Sequence, residues 1–184
     1  MIDGKQVQHQ GALDGLCGPY AIANALALCG VSSFAAVFQA CVLALPKSRW
    51  PKGLWEGTDW YDLQRMLRAL RPTLRRHSLA VTFPFEEREP ANAEKYWASF
   101  DAHFAKAGAR VAILGLRKPR YHWIVARPHG GSIQFIDSNP DQPTPIKERA
   151  SLKVGKLNPK ASWLIDPGEL ILFSRGEKLS APHA

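Results

Sequence analysis

The chain predicts an α+β fold, with helices first and an antiparallel sheet after them. Apolar residues recur at helical spacing through the first half, and short strand-like runs dominate the second. A Gly-Gly turn joins two of those runs. Pro19 suits a first helical turn, where its missing N–H would have no partner, so a helix runs to about Leu28 with Gly30 as its stop. Ser32-Ser33 can cap a second, apolar helix through Leu45, ended by Pro46. Thr58 can cap a third, from Asp59 to about Leu70, with Leu63, Met66, Leu67 and Leu70 on one face. His77 to Phe83 reads as a strand, and Ala91 to Lys106 as a helix bearing Tyr96, Trp97, Phe100 and Phe104. The segments Ala109–Leu116, Tyr121–Arg127, Ile133–Ile136 and Leu170–Phe173 complete the strands, and Pro140–Lys160, rich in Pro and Lys, reads as a long surface excursion.

Length and composition fit one globular domain spanning residues 1–184, at 46% hydrophobic and 22% charged residues. Three cysteines cannot all pair with one another, and no Cys-x-x-Cys or His-x-x-x-His spacing occurs. The reading is therefore of no metal site, no cofactor, and thiols in a reducing compartment. Met1–Gln6 has no apolar core of signal type, and no apolar run reaches the ~18–20 residues that span a bilayer. The expectation is a free-standing, soluble, cytoplasmic protein, or one delivered as an effector by a signal-less route. The net charge of +8 includes a cluster of Arg65, Arg68, Arg71, Arg75 and Arg76. No nucleic-acid recognition motif accompanies it, so a solvated face is preferred, or a surface that attracts an acidic protein substrate.

Two segments carry chemistry. In Asp14-Gly15-Leu16-Cys17-Gly18-Pro19-Tyr20, a thiol precedes the start of a helix, where backbone N–H groups and the macrodipole favour thiolate, the nucleophilic form. In Tyr121–Arg127 and Ile133–Asn139, the loop Gly130-Gly131 pairs His129 with Ser132. That register sets His122 opposite Asn139, with Asp137 on the same face and on the diagonal. A register slip of one residue would separate them. Asn139 is the alternative to Asp137 as partner of the ring. Cys29 and Cys41, among apolar residues, read as small buried hydrophobes, and His9, His77, His103 and His129 as surface or cap residues.

Cys17, then His122, then an acid fifteen positions on resembles the papain-like cysteine peptidase superfamily. Leu16-Cys17, Asn24-Ala25-Leu26 and His122–Arg127 look like the Josephin-type deubiquitinases. Asp14, Cys17-Gly18-Pro19 and a terminal Asp look like the peptidases that cleave double-glycine leaders. The resemblance covers roughly residues 6–28 and 121–140. It implies a papain-like arrangement, the nucleophile helix packed on the sheet that carries the His. It also implies Cys17 as nucleophile, His122 as general base and acid, and Asp137 as the residue orienting the ring. An oxyanion-hole Gln belongs before the nucleophile in these families. Gln10 is the nearest here, seven residues before Cys17 rather than the usual five or six, with Gln8 in reserve and Gln6 on the same side of an extended segment. Trp55, Trp60 and Trp123 are candidates for a substrate groove.

The resulting expectation is a peptidase or isopeptidase, with bonds after Gly-Gly, as in ubiquitin-like proteins or leader peptides, the first candidates for cleavage. An acyltransferase or glutamine deamidase using the same triad, and a catalytically silent binding module, are the alternatives.

Overall fold

The computed structural model describes residues 7–11, 15–139 and 145–176. Gln6 and Asp14, singled out above, lie outside the described residues, as does Pro140. The fold is α+β, as the sequence predicts: most helices come first and an antiparallel sheet follows.

Helix α1 spans Cys17–Leu28 and α2 Phe34–Ala44. Short helices α3 (Lys52–Glu56) and α5 (Arg71–Arg76) flank α4 (Trp60–Ala69), and α6 is Ala93–Phe104. The strands are β1 (Leu79–Thr82), β2 (Arg110–Lys118), β3 (His122–His129), β4 (Ser132–Ile136), β5 (Ile146–Glu148), β6 (Leu152–Val154) and β7 (Trp163–Arg175). The order across the sheet is β1-β7-β2-β3-β4-β5, all antiparallel, with β6 added in parallel to β7.

Local chemistry explains where boundaries moved. α1 begins at Cys17 rather than Pro19, because the first-turn N–H groups have no helical partner and Gly18-Pro19 fit there without loss. α4 is capped by Asp59, not Thr58. The Asp59 carboxylate accepts from the Asp62 N–H, and the Asp62 carboxylate accepts from the Asp59 N–H, a reciprocal capping box. Strands β5 and β6 occupy part of the expected surface excursion.

The sheet is buried on both faces, which is why β2 reads as a continuous apolar run rather than an alternation. Val111 and Ile113 of β2, with Trp123, Val125, Ile136, Ile171 and Phe173, meet Ile22, Leu26, Leu63 and Met66 of α1 and α4. Ala112, Leu114 and Ile124 face the other way, towards Tyr96 and Phe100 of α6. Cys29 and Cys41 are buried in the first of these cores, and desolvation pushes the Cys41 thiol up to about 12. The five clustered arginines are all exposed.

Candidate active site

The β3–β4 hairpin has the register that the Gly130-Gly131 loop dictates, with His129 opposite Ser132 and Val125 opposite Ile136. Continuing that register brings His122, the first residue of β3, beside Asp137, the first residue after β4. His122 Nε2 lies 2.6 Å from Asp137 Oδ1, with both side chains almost wholly buried. The same Oδ1 accepts the Asn139 N–H at 2.8 Å, so a tight turn after the strand fixes the carboxylate. Asn139, the alternative orienter, thus contributes its backbone to Asp137.

Cys17 is the first residue of α1, and α1 packs on β3 and β2. This contact brings the thiol and the imidazole into one cleft of about 320 Å³. With Nε2 turned to Asp137, the hydrogen bond between the ring and Cys17 falls to Nδ1. Burial alone would lower the His122 pKa. Hydrogen bonds that the ring makes to Asp137 and Cys17, with the charge on both, outweigh it and raise the value to about 9. The ring is therefore held as imidazolium at neutral pH.

The wall opposite His122 is the turn Glu56-Gly57-Thr58-Asp59. Gly57 has a φ of 84°, a conformation that suits glycine. The Trp123 indole donates to the Thr58 carbonyl at 2.7 Å, and Arg49 reaches the Gly57 carbonyl while pairing with Asp62. Gly15 donates to the Leu54 carbonyl, so the approach to Cys17 is tied to the same wall. A Cβ on Gly18 would come within 2.2 Å of Thr58 Oγ1 and 2.7 Å of Leu63 Cδ1, which explains a glycine immediately after the thiol.

The N-terminal segment is clamped on two sides. Gln8 exchanges two hydrogen bonds with the buried Asn24 side chain of α1, its N–H donating to Oδ1 and its carbonyl accepting from Nδ2. Gln10 donates its N–H to the Ser138 carbonyl at 2.7 Å, and its Oε1 accepts from Ser138 Oγ. Gln10 therefore sits one residue from Asp137 in the ladder of contacts, while neither Gln8 nor Gln10 is among the described residues that line the cleft.

Of the three candidate groove tryptophans, Trp123 lines the cleft. Trp60 stacks behind it at 6.1 Å between ring centres and packs against the core, because its neighbours Phe83 and Trp123 leave it an apolar slot. Trp55 is 67% exposed on α3 and does not line the cleft.

Other residues of the cleft were not foreseen: Arg49, the turn at 56–59, Tyr121 and Glu169. Asp166-Pro167-Gly168 marks a break in the chain just before Glu169, but it does not give the direction in which Glu169 leaves the strand. His103, expected at the surface or in a cap, instead hydrogen-bonds the Phe173 carbonyl of β7 at 3.0 Å, and burial lowers its pKa.

No group of three His, Cys, Asp or Glu side chains able to hold a metal occurs among the described residues, and no described helix is long and apolar enough to cross a membrane.

The fold is shared with a peptidase domain. The chain superposes on the crystal structure of the peptidase domain of Streptococcus ComA, a bi-functional ABC transporter involved in a quorum sensing pathway. The TM-score is 0.51 at 13% sequence identity, covering 94% of this chain and 98% of that one. At that identity the likeness is one of fold. No protein-family model and no curated protein matches the chain.

Proposed function

We propose that this protein is a cysteine peptidase or isopeptidase that works through Cys17, His122 and Asp137. The observation that carries the reading is the shared cleft of Cys17 and His122, with the far nitrogen of the ring held at 2.6 Å by a buried carboxylate. The fold likeness to a peptidase domain supports it.

In this reading the proton given up by Cys17 already rests on His122 Nδ1, and the sulfur attacks the substrate carbonyl, forming the S–C bond as the carbonyl electrons move to oxygen. The Cys17 backbone N–H, at the start of α1, is one donor to that oxyanion, and Gln10 is the candidate for the second. The C–N bond then breaks, and the imidazolium gives its proton to the leaving amine. Water adds to the thioester with the ring as base, releasing a carboxylic acid and restoring the thiol. Asp137 keeps Nε2 engaged, so Nδ1 faces the sulfur throughout.

Gly-Gly sequences form the first substrate panel, because a narrow cleft admits small residues best at the scissile bond. The test is incubation with vinyl-sulfone Gly-Gly peptides followed by mass spectrometry, alongside hydrolysis of the matching fluorogenic amides. Labelling confined to Cys17 and turnover lost in Cys17→Ala are expected. An unlabelled Cys17 with no hydrolysis rejects the reading. Product that forms only when an amine is added, or ammonia released from glutamine, would move the chemistry to transfer or deamidation.

A further inference from the structure

Strand β7 breaks its pairing with β2 at the edge of the cleft. Leu114 pairs with Leu170 and Leu116 with Ile165, so residues 166–169 of β7 stand opposite Gly115 alone. The break is built rather than frayed. Asp166 accepts the Gly168 N–H at 2.9 Å and pairs with Arg117, which closes a turn around the buried Pro167. The turn delivers Glu169 across Gly115, where any Cβ would lie 1.8 Å from Glu169 Oε2 and 2.7 Å from its Cβ. Gly115 is the partner of Trp123, next to His122, so the missing side chain of one strand is filled by a carboxylate at the catalytic ring's neighbour.

Glu169 lines the same cleft as Cys17 and His122. It makes no hydrogen bond and no ion pair among the described residues, although Arg117 stands near enough to act on its charge. Arg49, on the opposite wall, is committed to Asp62 and Asp59. Glu169 also opens onto an adjoining groove of about 520 Å³ that carries the exposed Glu87 and Tyr61. Glu86, Glu87, Glu89, Asp166 and Glu169 outnumber Arg88, the one cation among the described residues of that groove, so its local charge runs opposite to the net charge of the chain.

We propose that Glu169 is a specificity-determining residue that receives a cationic side chain, Lys or Arg, of the substrate close to the scissile bond. This rests on the peptidase reading and deepens it. A half-buried carboxylate without a partner is costly, and a substrate ammonium or guanidinium supplies the partner. Burial first, then the neighbouring Asp166, with Asp59 adding and Arg117 opposing, raises the Glu169 pKa to about 7. Discrimination should accordingly strengthen between pH 6 and pH 8. The groups facing Glu169 are Asp166, Arg117, Tyr96 and Asp59, with Cys17, His122, Glu56, Arg49 and Tyr121 around the cleft and Glu86, Glu87, Arg88 and Glu89 along the adjoining groove. Their effects on chemistry cancel when two peptides are compared on one enzyme.

The experiment measures kcat/KM for peptides with Gly-Gly before the cut that carry Lys, norleucine or Glu at the position preceding Gly-Gly or at each of the three positions after the cut. One position is expected to favour Lys over norleucine roughly tenfold, the scale of a hydrogen bond to a charged group. In Glu169→Gln that ratio should fall to within about twofold, and in Glu169→Lys the order should turn towards Glu. A Lys preference that survives Glu169→Gln, or its absence at every position in an enzyme that hydrolyses the norleucine peptides, rejects the assignment of Glu169 alone. If none of the peptides is hydrolysed and Cys17 resists the vinyl sulfone, the peptidase reading fails and this assignment with it.

Discussion

Two carboxylates mark the site, one bonded to His122 and one lining the cleft that His122 shares with Cys17, and the fold treats them in opposite ways. Asp137 is buried at the end of β4, holds the ring at 2.6 Å and is itself held by the Asn139 N–H. Glu169, carried out of β7 by a bulge, is half-buried and has no hydrogen-bond partner among the described residues. The difference shows which charges are saturated within the fold and which are left for something else. A carboxylate with fixed partners orients a neighbour; one without a partner in a cleft waits for a ligand.

Breaking the saturated carboxylate should have the larger effect. Asp137→Asn leaves His122 without its charged partner and should lower kcat/KM by about 10²–10⁴. The pH profile separates this from a merely structural loss. The alkaline limb, where the ring gives up the proton that the leaving amine needs, is expected near pH 9 in the native protein. It should move towards the ordinary histidine range in Asp137→Asn. A limb that stays in place would mean that Asp137 does not set the charge of the ring.

The same contrast marks what a sequence can carry. The hairpin register follows from Gly130-Gly131, and with it the face shared by His122 and Asp137, because side-chain alternation makes a strand pair predictable once its turn is fixed. The Cys17 helix was legible through Gly18-Pro19 for a similarly local reason. Glu169 was not. Its position depends on β7 pairing with β2, across some fifty residues of chain, and on a bulge whose exit direction no local signal gives. Thr58 gives way to Asp59 as the cap because Asp outranks Thr at that position and the Asp62 carboxylate three residues on completes a reciprocal capping box with it. Spacing alone does not distinguish a ring that lines the cleft, Trp123, from one stacked on it that lines the adjoining groove, Trp60, or one exposed on α3, Trp55.

The packing under the unsaturated carboxylate can be tested separately from its charge. Gly115→Ala places a Cβ against the Glu169 stem, not only against its flexible end, and should destabilise the fold by about 1–3 kcal/mol. In a Glu169→Gly background, which removes the Cβ as well as the carboxylate, both contacts disappear and the same substitution should cost clearly less. Denaturant titration of the four proteins gives the coupling. Equal costs in the two backgrounds would mean that Glu169 does not fill the space over Gly115.

The smallest effect is the most direct measure of the missing partner. Glu169 has a folded pKa raised from 4.5 to about 7, so its contribution to stability is fully present below pH 4.5 and is lost as pH rises to 7. Above pH 7 the native protein carries an ionised, half-buried carboxylate that the unfolded chain would solvate better. Glu169→Gln should therefore match the native protein near pH 4 and exceed it at pH 8 by about 1–2 kcal/mol, a figure reduced for the open side of the cleft. Thermal melts at the two pH values read this as a gain of a few degrees at pH 8 alone. A loss of stability at pH 8 would show that Glu169 already has a favourable partner within the fold. A gain there, together with the loss of Lys preference, would show one residue weakening the empty protein in order to select what fills it.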